Sequence, residues 1–163
     1  MLVVGVDPGT IKMGVGAVLS DDDNLTLAYS ELLSPPRSAP LADRLAWLHD
    51  RMSRTLEDLM PSVVAIEQPF VARNVKAALA VGQAQAVAMI AAARLKIPVA
   101  GYSPSEVKKA VTDYGGSSKE QVQQMVSVLL GIDEILEPPD RADALAVAIC
   151  HINRSRELDI VGQ

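Results

Sequence analysis

Short apolar runs whose period changes along the chain are the feature that most limits its fold. Residues 2–6 form one such run, suited to a central strand. Residues 14–19 and 25–33 follow, joined by the acidic turn Ser20-Asp21-Asp22-Asp23-Asn24, and read as antiparallel hairpins. After the Ser34-Pro35-Pro36-Arg37-Ser38 loop the period becomes helical. Leu41, Leu45, Leu48, Met52, Leu56 and Leu59 recur at three- and four-residue steps, which predicts an amphipathic helix over about 40–60. Trp47 and His49 lie on it and read as packing or surface residues. Pro61 stops this helix, and Val63–Glu67 is the next strand. Asn74 can cap a helix running to about residue 95, and residues 97–100 read as a strand. Ser103-Pro104-Ser105-Glu106 is a capping box with proline at the first helical position, and Ser118 with Gln121 offers another. A last helix is expected from about Asp140 to Arg154. Strands come first and then alternate with helices, so the expected class is α/β, a mixed sheet flanked by helices.

The chain has 163 residues, which suits one domain with one core, and 49% of them are hydrophobic, which argues against disorder. Its N-terminus meets Asp7 without a basic n-region, and no apolar run reaches the roughly 18 residues of a membrane span. No signal peptide and no membrane partner are therefore expected. The single cysteine, Cys150, excludes an intrachain disulfide, fits a reducing cytoplasm, and reads as core packing. The net charge is −5, yet its distribution is uneven. Residues 68–130 carry seven Lys/Arg against three acids, and the remainder carries eight against seventeen. The middle of the chain can meet a polyanion; a solvated helical face is the plainer alternative.

Four carboxylates carry the chemistry. Asp7 ends the first apolar run and opens Asp7-Pro8-Gly9-Thr10, and Glu67 ends the run Val63-Val64-Ala65-Ile66. Asp140 and Asp143 stand three apart after Pro138-Pro139, so they share one helical face. Each has a plain explanation: a turn residue, a strand-end charge, two acids favouring a helix N-terminus. Together at the tips of apolar strands they are costly unless something positive lies between them. Hard divalent cations prefer such oxygen ligands, and two of them roughly 3.5–4 Å apart serve phosphoryl transfer. There is no Walker A pattern and no Cys/His zinc spacing, and His151 lies two turns beyond Asp143, too far along to be an expected base.

The ordered set Gly5-Val6-Asp7-Pro8-Gly9, Ala65-Ile66-Glu67-Gln68, Phe70, Asn74, Ala78-Leu79, Gly82-Gln83-Ala84, Val107-Lys108, Lys119, Gln121-Val122, Met125-Val126 and Ala142-Asp143-Ala144-Leu145-Ala146 resembles the RuvC family of bacterial Holliday junction resolvases. The likeness runs in order over about residues 1–153. It implies a ribonuclease-H-like nuclease domain over residues 1–154, with 155–163 as a short C-terminal tail. It also implies a homodimer that nicks two symmetry-related strands of a four-way DNA junction in recombination and repair, and cooperation with the RuvA–RuvB branch-migration complex. Asp7, Glu67, Asp140 and Asp143 match the family's metal-binding acids, which implies two Mg²⁺ per active site, with Mn²⁺ as a substitute. Asp140 falls where some members have His. Phe70 matches the aromatic residue near the junction centre, and Lys108 and Lys119 match basic positions implicated in DNA contact. Arg73 stands where a relative carries Lys, and Asn74 joins the expected DNA-binding set. Lys76 and Arg141 are not regular motif positions; Arg141 could contact phosphate or only screen the acids.

Phe70 is the sole phenylalanine and follows Pro69. It reads either as an apolar wedge on an unpaired base or as a buried loop residue. The helix over 74–95 is rich in alanine, which suits close approach in the core, in a two-fold interface, or in both. Three rival functions remain at this level. Asp7-Pro8-Gly9-Thr10 also resembles the phosphate loop of actin-like and sugar-kinase ATPases, which need two such domains. A smaller nuclease family acting in ribosomal RNA maturation shares an early Asp-x-Gly. A non-catalytic DNA-binding module would not need all four acids.

Overall fold

The structure is a computed structural model that describes residues 1–68 and 74–161, with side chains described to residue 158. Three strands open the chain: β1 (Leu2–Asp7), β2 (Met13–Asp21) and β3 (Asn24–Leu33). The helix α1 (Leu41–Leu59) follows, then β4 (Val63–Glu67), α2 (Val75–Arg94), β5 (Val99–Tyr102), α3 (Pro104–Thr112), α4 (Lys119–Leu129) and α5 (Pro139–Val161). The sheet order is β3-β2-β1-β4-β5. The first three strands are antiparallel neighbours, and β1–β4 and β4–β5 are parallel. The expected mixed sheet is therefore present.

Strand periodicity decides which side chains reach which layer. Val4, Val6, Met13, Val15, Val64 and Ile66 pack on one face, under α1 and α2. Val3, Val18, Val63 and Ala65 pack on the other, under α3, α4 and α5. Continuing the alternation, Asp7 after Val3 and Gly5, and Glu67 after Val63 and Ala65, fall on the α5 face. Val6 pairs with Ile66 in parallel register, so Asp7 and Glu67 emerge side by side.

The helix α5 approaches this face as closely as backbone allows. A Cβ on Gly5 would stand 2.0 Å from the Ala144 carbonyl oxygen, and one on Gly14 would stand 2.1 Å from that of Asp140. Glycine at these two strand positions sets the height and register of the helix over β1 and β2.

Several local expectations hold in detail. Asn74 caps α2, its Oδ1 accepting from the Ala77 N–H at 3.1 Å. Both capping boxes, Ser103/Glu106 and Ser118/Gln121, are formed. Two boundaries differ. The fifth strand begins at Val99 rather than residue 97, because Pro98 has no N–H to give a ladder and serves only as acceptor, from Val64. The last helix continues to Val161, so residues 155–161 of the expected tail are helical. Arg156 there reaches back to Ser20 Oγ at 3.0 Å and to the Asp22 carbonyl.

The apolar residues of α2 divide between two surfaces. Ala84, Val87, Ala88, Ala91 and Ala92 are buried against the sheet and α1. Val75, Leu79, Met89 and Ile90 stay exposed on the opposite side. The helix is long and apolar enough to pass for a membrane span by composition, but its buried side belongs to the core.

Candidate active site

Asp7, Glu67 and Asp143 meet in one cleft of about 160 Å³ with Lys108 and Lys119. Each arrives for a separate reason. Asp7 and Glu67 are the last residues of adjacent parallel strands. Asp143 is in the second turn of α5, held down by the glycine contacts beneath it. Lys108 faces in from α3, and Lys119 is the first residue of α4, placed by its Ser118 cap. Asp140 lies one turn before Asp143, outside the cleft lining but close enough to raise the proton affinity of Asp7. A larger cleft of about 430 Å³ opens between α3 and α5, yet none of the four carboxylates lines it.

Burial and mutual repulsion dominate the electrostatics. Burial, and next the charges of Glu67 and Asp143, push the Asp7 carboxyl up to about 7. Burial also raises Glu67, with Asp143 adding to it, against the pull of Lys119 and Lys108. Lys119 Nζ stands 2.8 Å from Asp143 Oδ2. That hydrogen bond raises the Lys119 ammonium, while burial keeps the Asp143 carboxyl above its ordinary value despite the contact. Two ammonium groups, Lys119 in contact and Lys108 at longer range, therefore offset part of the negative charge of three packed carboxylates.

The donor set tests whether divalent cations suit the site. Among the described residues, no three Asp, Glu, His or Cys side chains stand at metal-binding spacing, and Lys119 occupies Asp143. The chemistry nevertheless fits. All three donors in the cleft are carboxylate oxygens, the ligands of hard cations, and each is held above its ordinary proton affinity. Asp7, Glu67, Asp143 and the neighbouring Asp140 are the residues able to hold such ions.

Other expected residues fall as follows. Phe70 and Arg73 lie outside the described residues. Asn74 is exposed, and its carbonyl oxygen is engaged in the cap. Lys76 is exposed on the first turn of α2. His151 does not line the cleft, and its Nδ1 stands 2.7 Å from the Tyr102 hydroxyl. Cys150 is buried, and burial pushes its thiol up to about 12, in keeping with packing. Arg141 answers neither earlier alternative directly. Its Nε donates to Ser30 Oγ at 2.8 Å and its Nη1 to the Glu137 carbonyl at 2.9 Å, so it ties the start of α5 to β3. Sequence reasoning missed that tether and the glycine seats. Only the glycines left a trace, as unexplained gaps inside strand runs.

A family model described as Crossover junction endodeoxyribonuclease RuvC matches residues 3–151. A RuvC of Dehalococcoides mccartyi is 45% identical over 163 residues, covering 100% of this chain and 98% of its own. The chain belongs to the RuvC family. Thermus thermophilus RuvC in complex with Holliday junction substrate superposes with a TM-score of 0.90 at 34% identity, covering 96% of each chain. The yeast mitochondrial Holliday junction resolvase Ydc2 shares the fold, with a TM-score of 0.70 at 16% identity over 97% of this chain and 80% of its own. The ribonuclease-H-like reading of the sheet holds. RuvC-family nucleases depend on divalent metal, in agreement with the all-carboxylate donor set.

Proposed function

We propose that this chain is a metal-dependent, structure-specific endonuclease that resolves four-way DNA junctions by paired symmetric nicks in recombination and repair. The observation that carries the reading is the cleft itself: Asp7, Glu67 and Asp143 share it with Lys108 and Lys119, in a RuvC-family chain. Asp7, Glu67, Asp140 and Asp143 would hold two Mg²⁺, or Mn²⁺ in their place. When bound, two such ions activate an attacking oxygen and stabilise charge on the leaving one. The chain's own residues supply the rest. The carboxylates fix where the ions sit. Lys108 and Lys119 bring positive charge to the phosphates flanking the scissile one, and the free N–H groups at the start of α4 favour the same anion. Phe70, Arg73 and Asn74 extend the DNA surface from the segment after β4.

Two coordinated nicks need two such clefts, and the described residues of one chain form one. A second copy, joined isologously, supplies the other at a fixed distance. The exposed stripe Val75, Leu79, Met89 and Ile90 on α2 is the apolar surface best suited to that contact. Cooperation with a RuvA–RuvB branch-migration complex and a cytoplasmic setting complete the reading.

Incubation with four-way, duplex and single-stranded DNA, and with ATP, each with and without Mg²⁺, tests it. Cutting confined to the four-way substrate with Mg²⁺ is expected. Hydrolysis of ATP, or binding without cutting, would replace the reading with one of its rivals.

A further inference from the structure

Three tyrosines occur in the chain, and two of them are accounted for by the fold. The Tyr29 hydroxyl is bonded to Glu31, and that of Tyr102, in the core, is bonded to His151. Tyr114 differs. It is 68% exposed in the loop between α3 and α4, and among the described residues its hydroxyl has no partner. Burial therefore does not explain it.

The backbone beneath this ring is held firmly. The Tyr114 carbonyl accepts from Ser117 Oγ at 2.8 Å and Thr112 Oγ1 at 3.0 Å. Those two hydroxyls stand 2.6 Å apart, and Ser117 is buried. Ahead of it, Asp113 adopts a left-handed conformation at φ 61° and donates to the Lys109 carbonyl at 2.9 Å. The ring lies over the backbone of Gly116, where a Cβ would stand 2.7–2.8 Å from Cζ, Cε1 and the hydroxyl. Glycine there admits one face of the ring; the exposure of the residue belongs to the other.

The loop also sits at the rim of the catalytic cleft. Gly115 packs on Ser105, where a Cβ would stand 2.7 Å from Oγ, and the next residue back, Pro104, lines the cleft. Four residues after Tyr114 the chain enters α4 at Ser118 and Lys119, while Lys108 faces the cleft from α3. An open aromatic face on a stiff loop, flanked by cations that face the cleft, has the character of a stacking platform beside a phosphate track.

We propose that Tyr114 is a DNA contact whose open face receives an unstacked base of the bound junction next to the strand in the cleft. This rests on the endonuclease reading above. The ring contributes stacking rather than charge, so its loss is distinguishable from the loss of a lysine.

The test is binding of a fluorescent four-way junction by wild type, Tyr114→Phe and Tyr114→Ala, in EDTA to prevent cutting, across a salt series. Stacking of a base on an aromatic ring is worth roughly 1–3 kcal/mol, so Tyr114→Ala should weaken binding by about 5- to 150-fold. The slope of log affinity against log salt should not change, because no cation is removed. Tyr114→Phe should bind within about 2-fold of wild type, since the ring face is kept. Thermal melting of Tyr114→Ala should match wild type, because the exposed ring buries little. Affinity unchanged in Tyr114→Ala, or lost equally in Tyr114→Phe, would overturn the platform. A wild type that does not bind the junction would overturn both this proposal and the reading it rests on.

Discussion

Asp7 is the residue at which burial and charge conflict most. It ends a central strand, faces α5, and shares its cleft with two more carboxylates. A carboxyl pushed up to about 7 from 3.8 binds its proton more tightly folded than unfolded. Its ionisation thus costs stability as pH climbs from about 4 through about 7 in metal-free protein. Asp7→Asn removes that cost and keeps the shape. The metal-free variant should melt several °C above wild type at pH 8 and close to it only at or below about pH 4, with about 1 kcal/mol moving Tm by roughly 2–4 °C in a domain of this size. The same variant should lose cleavage by at least about 100-fold, beyond the 10–100-fold owed to a metal ligand's outer partners, while junction binding stays near wild type. Cleavage kinetics and differential scanning calorimetry check both halves. Lys119→Ala should weaken binding most at low salt and lower the salt slope by about one counterion, read from affinity across a salt series. At this scale the acids were legible, because charges ending apolar runs demand a reason. The 2.8 Å contact of Lys119 with Asp143 was not, because it depends on how α4 and α5 meet.

The element that positions the site is α5. Its register follows from the missing side chains of Gly5 and Gly14 and from Arg141, which ties its first turn to Ser30 on β3. Gly14→Ala places a methyl against the Asp140 carbonyl and should cost about 1–3 kcal/mol of stability, as overpacking does. It should also lift the turn that carries Asp140, so cleavage should fall further than the loss of folded protein explains. Urea denaturation beside cleavage rates normalised to folded protein checks this. Element types were readable from period and caps: α1, α2 and both capping boxes formed where expected. Ends were less so. Pro98 delayed β5, and nothing between Arg154 and Gly162 breaks a helix, so α5 runs on. The glycine seats belong to contacts between elements far apart in sequence, which no local pattern records.

On the scale of the whole molecule, α2 carries the consequence of the described residues of each chain forming one carboxylate cleft. Its apolar residues run nearly all round the helix in sequence, and packing separates Ala84, which is buried, from the exposed stripe of Val75, Leu79, Met89 and Ile90. A charge at Ala84 would therefore disrupt the core and test nothing about association. Leu79→Arg is the informative change, since Leu79 is 64% exposed. It should leave the melting profile of the protomer intact and convert a dimer to a monomer in sedimentation velocity, with paired cutting lost. The central claim is that two of these carboxylate clefts, acting together, resolve a four-way junction. A supercoiled plasmid that extrudes a cruciform tests it most directly, because two coordinated nicks across the junction yield linear DNA and a single nick yields a relaxed circle. Wild type with Mg²⁺ is expected to give linear product, and Asp7→Asn or EDTA to give none. Relaxed circles that persist without linear product, or linear product that survives in Asp7→Asn, would contradict the account.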